Sequence, residues 1–584
     1  MTDNTVDKTD MLSRTLNDVI HETTMSYLSL IDKDNPPSPH TIEQELLSDI
    51  NDMIALENLN IPKITMKDAN GQPIYDKKGN PKTMPLRAPW RSIERLLPQQ
   101  LADIVMFFHH VVRIDAAESN VESEEDLLAI YCESGYNKGI YDTNESVLYR
   151  IVKEYDYMLE ERKFKEVCFT LKSLAPRKQR THNRNLIAVN NGIFDYKSKN
   201  LYPFTPDMVF LAKSRVDYNP NASLVIIHND DDGTDWDIET WMSELSDDPE
   251  IVELLWQMLG AIIRPFVRWN QSIWLYSTTG NNGKGTLCEL MRNLCGNGTH
   301  TSIKLAEFNK DFALEPLIHS NAIIVDENDV GCYLDSLASL KAIVTNDIVQ
   351  INRKYKNSVS FRFWGFMVQC INDLPRIRDK SDSFYRRQIL VPMDKCFTGA
   401  ERRYIKDDYL SRPEVLEYVM KKILHTDFYA LSVPDRCRNL LNMYKGLNDP
   451  IREFLEEFKE QFTWDLIPTE FLYDLYKAWY ARCNPCGKPE GRNTFKKQID
   501  ILLLEPGFCE YWESSSKMVR VCNKMSQPEP LIVQYNLTSW KNPSYTGNDI
   551  DKMSMPRLLT DRFRGLVRRD NSLSSQNVTD ADDD

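Results

Sequence analysis

Apolar positions change their spacing several times along this chain, and each change predicts a different element. At 97–105 and 146–164 they recur every three to four residues, which predicts amphipathic helices. At 186–225 the pattern turns strand-like. Leu186-Ile187-Ala188-Val189 and Val209-Phe210-Leu211-Ala212 read as strands, with Asn190-Asn191-Gly192 as a tight turn. Asp230-Asp231-Asp232-Gly233 marks a loop, and 238–245 and 250–263 read as a helix pair. Short apolar runs follow at 272–276, 321–325, 366–371 and 389–392. Runs that are apolar on both faces suit the strands of a covered parallel sheet. Between the second and third runs, 351–359 reads as two short strands around a basic tip that contains Tyr355.

The same pattern divides the chain. Residues 1–87 read as an N-terminal arm or small domain with turn signals at Asp68–Gly71 and Lys78–Asn80. Residues 88–235 read as a helical and mixed accessory domain, 236–398 as an α/β core and 399–448 as a helical connector. A smaller domain is expected at 449–524, and 525–584 reads as a flexible tail with an acidic end. No internal repeat stands out.

Composition narrows the class. At 584 residues, 42% hydrophobic and 27% charged, the chain reads as a multidomain globular protein. No uncharged apolar stretch reaches membrane-spanning length, and the N-terminus lacks a signal-peptide layout, so no membrane partner and a cytoplasmic location are expected. The 12 cysteines are scattered, as in a reducing compartment. A net charge of −15 argues against nucleic-acid binding over the whole surface but leaves room for local basic sites. Basic residues cluster at Arg177, Lys178, Arg180 and Arg184, at Arg353, Lys354 and Lys356, and at Lys488, Arg492, Lys496 and Lys497. Each cluster reads either as a solvated face or as a contact for phosphates.

The most specific chemistry lies at Thr278-Thr279-Gly280-Asn281-Asn282-Gly283-Lys284-Gly285-Thr286, between an apolar run and a helical segment. Strand, glycine-rich loop and helix is the context of a phosphate-binding P-loop. Glycines let backbone N–H groups turn toward a polyphosphate, and the helix N-terminus adds positive character. Gly280, Asn281, Asn282, Gly283, Lys284, Gly285 and Thr286 are therefore the expected nucleotide-binding set, with Lys284 on the β- and γ-phosphates. The loop departs from G-x-x-x-x-G-K-[ST]: Thr278 replaces the first glycine and Gly285 replaces the metal-binding hydroxyl. Thr286, one residue later, is the expected substitute for that hydroxyl on Mg²⁺. Downstream, the run 321–325 ends in Asp326 and Glu327. Asp326 is expected on Mg²⁺, and Glu327 on the attacking water. Asn372 ends the next run, where its amide can contact the γ-phosphate or the water. Arg386 and Arg387 precede the last run and are expected to stabilise transition-state charge, especially from a neighbouring subunit. Arg353, Lys354 and Lys356, around Tyr355, can follow a phosphate backbone and stack on bases.

The order P-loop, acidic strand, basic hairpin and Asn-ended strand resembles the superfamily 3 helicases, closest to the phage, plasmid and poxvirus helicase–primase branch. Asn372-Asp373-Leu374-Pro375 and Arg386-Arg387-Gln388-Ile389-Leu390-Val391-Pro392 carry that likeness. Gly135-Tyr136-Asn137-Lys138-Gly139-Ile140-Tyr141, Val189–Tyr196 and Leu201–Pro206 resemble the domain that precedes the ATPase in these proteins. The resemblance covers 95–400 well and 449–521 loosely. It implies an α/β multidomain fold: an AAA+ P-loop core, a helical and mixed N-terminal domain, and a C-terminal winged-helix-like domain. It also implies an ATP hydrolase and DNA helicase of a phage, plasmid or mobile island, moving 3′ to 5′. The implied partners are single-stranded and forked DNA, further copies in a homo-hexamer, and possible origin duplex DNA and replication proteins.

Within that resemblance Arg353, Lys354 and Lys356 would line the channel, and Arg386 or Arg387 would reach the next subunit's ATP. Arg492, Lys496 and Lys497 lie near the front of a helix that a winged-helix reading sets on DNA. Only Asp32 and Asp34 precede the helical domain as candidate primase carboxylates, so no primase activity is expected. Cys483 and Cys486 have metal-ligand spacing, but Cys509 and Cys522 form no second close pair, and reduced thiols are expected. Two other classes stay open: a ring-forming initiator or loader that does not unwind processively, and a non-enzymatic DNA-binding scaffold.

Overall fold

The computed structural model describes residues 14–569 apart from 34, 119–124, 332, 335, 378–380, 400–401, 484–487 and 555–560. Its central sheet has five strands: β1 (Ser272–Tyr276), β2 (His300–Thr301), β3 (Ala322–Val325), β4 (Phe366–Ile371) and β5 (Gln388–Pro392). Their order is β2-β3-β4-β1-β5, and every neighbouring pair is parallel. All of β3 and β4 is buried, which explains why their sequences are unbroken apolar runs. On one face Ile273, Leu275 and Val368 pack against Leu287, Leu290 and Leu294 of the helix Lys284–Cys295 and against Met258 of the helix Pro249–Ile263. On the other, Trp274, Ile323 and Met367 meet Ile114 and Leu127 of an N-terminal sheet and Ile351, Val359 and Phe361 of a hairpin.

Tertiary packing redraws the expected domain boundaries. The helices Leu16–Ser29 and Pro39–Leu59 are no separate arm. Through Ile20, Leu28, Leu46 and Ile50 they share one core with the helices Pro98–Phe108, Glu145–Tyr155 and Glu161–Leu174. Among the described residues of the expected arm, 61–87 stands away from that core, with no buried residue. It also contains a repeat missed in the sequence reading: Asp68 and Asp76, Gly71 and Gly79, and Pro73 and Pro81 recur at a spacing of eight. The region 88–235 divides, because Ile187, Val189, Phe194 and Ile227 belong to the core of the central sheet. The connector 399–448 joins the same core, since the helix Pro413–His425 buries Val415, Val419, Met420 and Ile423 there.

The expected tail is the largest correction. Gly565–Arg568 is the middle strand of a three-stranded sheet, between Leu466–Pro468 and Trp512–Ser514. Leu531, Ile532, Trp540 and Leu566 fill the core of the C-terminal domain. Few, widely spaced apolar anchors in a polar background hid this packing. The acidic end at 580–584 lies outside the described residues.

Two local expectations also change. Val209-Phe210-Leu211-Ala212 is buried but forms no strand, because its backbone is satisfied by single contacts, such as Tyr141 N–H to the Phe210 carbonyl at 2.9 Å. The helix expected at 146–164 breaks at Asp156. That buried carboxylate accepts from Arg95 at 2.9 Å and Lys163 at 2.6 Å.

Candidate active site

Register at the carboxyl edge of the sheet gathers three chain segments. Tyr276 pairs with Ile371 and Val325 pairs with Gln369, so the segments leaving β1, β3 and β4 emerge side by side. β1 feeds the glycine-rich loop. Gly283 ends it at φ +83° and caps the following helix without a side chain. Gly283 itself offers no side chain to the first N–H groups of that helix, as an anion site needs, and only the Lys284 N–H is met by a neighbouring side chain, that of Asn282. A Cβ on Gly283 would stand 2.7 Å from Leu245 Cδ2, so both backbone and space require glycine here. Asn282 braces the loop: its Nδ2 donates to the Thr279 carbonyl at 2.5 Å, and its Oδ1 accepts from Lys284 N–H at 3.3 Å. Phe397 N–H donates to the Asn281 carbonyl at 2.7 Å and ties the loop to the segment after β5.

Lys284 is buried. Its Nζ donates to Asn372 Oδ1 at 2.6 Å and to the Ile371 carbonyl at 3.1 Å. Burial holds its pKa below the usual lysine value. Asp326 and Glu327 follow β3 and are both exposed. Asp326 pairs with Arg292 Nη2 at 3.0 Å. Partial loss of hydration beside the helix pushes this carboxyl up, but the Arg292 hydrogen bond and charge outweigh it and leave the pKa below the usual range. Asn328, one residue past the acidic pair, is buried and fixes their loop. Its Oδ1 accepts from Leu305 N–H at 2.9 Å, and its Nδ2 donates to Gln369 Oε1 and the Cys370 carbonyl, both at 2.9 Å.

Sequence reasoning gave no role to Arg292 or Asn328. Arg292 lies two helical turns beyond Lys284, and Asn328 sits two residues past Asp326, so the only signals were these offsets. It also missed a cavity of about 370 Å³ beside the loop, lined by Trp241, Thr286, Phe397, Arg403 and Lys406 together with Gly283. Nothing local in the sequence connects these positions. Two aromatic rings suit a flat base, and Arg403 and Lys406 suit phosphates, while Arg402, also in the lining, pairs with Glu244 at 2.7 Å. Thr286 faces this cavity, while Gly285 leaves open space in which Lys406 Nζ would lie 3.9 Å from an added Cβ. Asp326 and the Thr286 hydroxyl offer oxygen donors of the kind Mg²⁺ takes alongside phosphates and waters. Among the described residues no group of three or more His, Cys, Asp or Glu side chains is placed to hold a metal. Cys486 and Asp34 lie outside the described residues, and the described cysteines form no disulfide.

Other expected residues lie elsewhere. Ser272 N–H donates to the Arg387 carbonyl at 2.8 Å, so Arg386 and Arg387 sit at the opposite edge of the sheet from the loop. The length of β1 separates them from Lys284 by about 15 Å. Arg387 donates to the Ser383 carbonyl of its own chain, and Arg386 is exposed. The hairpin Ile348–Arg353 and Lys356–Arg362 turns at Tyr355, which has φ +60° and is 94% exposed. Arg353 lies 3.7 Å from Glu315 and Lys356 lies 3.1 Å from Glu145, while the Lys354 side chain stays exposed.

The remaining basic clusters differ from one another. On the helix Arg492–Leu502, Arg492 pairs with Glu470 at 3.0 Å, and Lys496 and Lys497 are exposed opposite the buried Phe495 and Ile499. The cluster at 177–184 is largely structural. Arg177 bonds Asp126 at 2.7 Å and buried Arg180 bonds Glu118 at 2.7 Å.

Comparison with known proteins gives two family matches. Residues 275–387, which contain the loop, the acidic pair, the hairpin and Asn372, match a family of unknown function, DUF5906. Solved structures of the NrS-1 C-terminal region in the apo form align at 13% and 12% identity, over 82% of this chain and all of theirs. Their TM-score of 0.40 is too low to carry an argument. Residues 447–542 match the model described as Poxvirus D5 protein-like, so the C-terminal part of this chain is similar to that family.

Proposed function

We propose that this protein is an ATP-driven DNA helicase of the superfamily 3 type, with an AAA+ core and a winged-helix-like C-terminal domain. The observation that carries the reading is the contact of Lys284 Nζ with Asn372 Oδ1, at the sheet edge where Asp326 and Glu327 also end. Three motifs far apart in sequence thus converge beside a helix N-terminus whose cap residue, Gly283, carries no side chain. The Poxvirus D5 protein-like match supports a place in viral or phage-type DNA replication.

In this reading Trp241 and Phe397 hold the base, and the loop N–H groups and Lys284 hold the phosphates. Binding transfers Lys284 from Asn372 to phosphate oxygens, which frees the Asn372 amide to register the γ-phosphate. Glu327 orients the attacking water and accepts its proton. Asp326 and Thr286 would hold Mg²⁺, which neutralises charge on the phosphates when bound. Arg387 is occupied by Ser383, so Arg386 is the arginine that reaches a neighbouring subunit's nucleotide. Lys354 and Tyr355 at the hairpin tip contact the single strand, and a hexameric ring moves along it 3′ to 5′.

The test is ATP-dependent separation of duplexes that carry a 3′ or a 5′ single-stranded tail. Separation with the 3′ tail alone is expected. No ATP hydrolysis with or without DNA would sink the enzymatic reading. A second reading, a ring-forming initiator or loader, is favoured by one observation: Arg353 and Lys356 are held by Glu315 and Glu145 rather than presented to a strand. DNA-stimulated hydrolysis without strand separation is its signature. An unchanged Mg²⁺ requirement in Thr286→Ala would remove Thr286 from the metal.

A further inference from the structure

The segment 61–87 is built unlike the rest of the chain. Lys63–Thr65 pairs antiparallel with Thr83–Pro85, and between them an eight-residue unit occurs twice. In the first, Asp68 Oδ1 accepts from the N–H groups of Asn70 and Gln72, both at 2.9 Å. In the second, Asp76 Oδ1 accepts from Lys78 at 2.8 Å and Asn80 at 2.9 Å. Gly71 and Gly79 take φ +79° and +84° at equivalent places, a conformation that glycine adopts without strain.

Three successive passes of the chain close a ring of backbone bonds. Ile74 N–H donates to the Met66 carbonyl at 2.9 Å, Lys82 to Ile74 at 2.7 Å, and Met66 to Lys82 at 2.8 Å. Asx turns and backbone bonds hold the arm, and no hydrophobic core does. Apart from Asp68 and Asp76, its side chains therefore have little structural work.

Those side chains are strongly biased. Residues 62–87 contain six basic residues and two aspartates, in a chain of net charge −15. Both aspartates are spent inside the turns. Lys63, Lys67, Lys77, Lys78 and Lys82 are exposed, and none forms an ion pair with a described residue. Several basic residues of the other clusters behave otherwise: Arg177, Arg180, Arg353 and Lys356 all face carboxylates of their own chain. An acidic protein that keeps five lysines together on a coreless arm presents a local field suited to a polyanion. Tyr75 and Met84 are exposed on the same arm and can rest against sugars or bases.

We propose that residues 63–82 form a DNA-gripping arm that binds the phosphate backbone of duplex DNA without reading sequence. Lysines act on phosphates as point charges and position a protein without specifying bases. The arm is separate from the nucleotide site, so its role does not depend on the chain being a motor.

The experiment measures anisotropy of a labelled blunt duplex and, beside it, a labelled single strand with the full chain, without nucleotide, across a range of salt. The variants are Lys63→Ala, Lys67→Ala, Lys77→Ala, Lys78→Ala and Lys82→Ala combined, and Lys77→Glu with Lys78→Glu. The five-fold variant is expected to bind about tenfold or more weakly at low salt. Its log–log salt slope is expected to fall by about 3–5, roughly one for each lysine. The double variant alters only exposed side chains and guards against misfolding, which thermal melting checks. Wild-type affinity and slope in both variants would overturn the proposal. So would a loss confined to single-stranded DNA, or unchanged duplex binding with a lower assembly mass in sedimentation, which would assign the arm to a second copy. Lys284→Ala, run beside them, is expected to keep duplex binding, so that failure of the motor reading and failure of the arm are told apart.

Discussion

Lys284 and Lys354 are both lysines at expected functional positions, and the structure treats them in opposite ways. Lys284 is buried, with its ammonium bonded to Asn372 and the Ile371 carbonyl. Lys354 stands exposed beside Tyr355 at a hairpin tip, while Arg353 and Lys356 turn to carboxylates. At the sheet edge, geometry is set by backbone ladders, so the site is built before any ligand arrives. At the hairpin the charges are met by carboxylates, and any polyanion would have to displace Glu315 and Glu145. The first region is preorganised and the second is held in reserve.

The sharpest way to break this contrast is Lys284→Ala. Loss of a preorganised donor to the transferring phosphate is expected to lower ATP turnover by about 10²–10³-fold, read by phosphate release. Turnover within a few-fold of wild type would place catalysis elsewhere. Asn328→Ala probes the scaffold beneath the acidic pair. It leaves a buried amide and two acceptors unsatisfied, at a cost of about 2–3 kcal/mol, and a lowered melting temperature checks it. At the hairpin, Lys354→Ala with Tyr355→Ala is expected to weaken single-strand binding about tenfold. DNA-free hydrolysis is expected to stay unchanged. An equal loss in both would mean that the tip supports the nucleotide site.

The smallest effect concerns pH. Burial holds His109, His300, His319 and His425 below the usual value of 6.5. The unfolded chain then takes up protons before the folded one. Stability is full above 6.5 and falls as pH drops below it toward the lower folded values. His319 bonds Thr143 across the junction of the N-terminal domain and the core, at 2.9 Å. His319→Gln is expected to flatten part of the slope in thermal melts between about pH 7 and 5.

Much of the sheet was legible because buried parallel strands must be apolar on both faces, and β1, β3, β4 and β5 all coincide with apolar runs. The hairpin around Tyr355 was legible for a similar reason, since short alternating strands flank a polar turn. Legibility failed where packing is sparse or distant. Leu531, Ile532, Trp540 and Leu566 are few anchors in a polar stretch, and the segment 525–569 therefore looked like a tail. The repeat at 66–82 escaped because it is only two units long and is held by backbone bonds, with no apolar period to reveal it.

The basic clusters make the same point about charge. Arg177, Arg180, Arg353 and Lys63 look alike in sequence, yet the first three meet carboxylates and the last does not. Arg353 and Lys356 are cross-strand partners and share one face, so both meet whatever packs against that face.

By itself the sequence determined the parallel sheet, the glycine-rich loop and the order of Lys284, the acidic pair and Asn372, because these depend on local spacing and on the apolar character of buried strands. Only the tertiary structure decided which charges are held and which are presented, where Trp241 and Phe397 open a cavity, how Arg292 holds Asp326, and that the chain near its end completes a domain. Ion pairing, burial and cavity shape are set by neighbours tens to hundreds of residues away, and no local pattern records them.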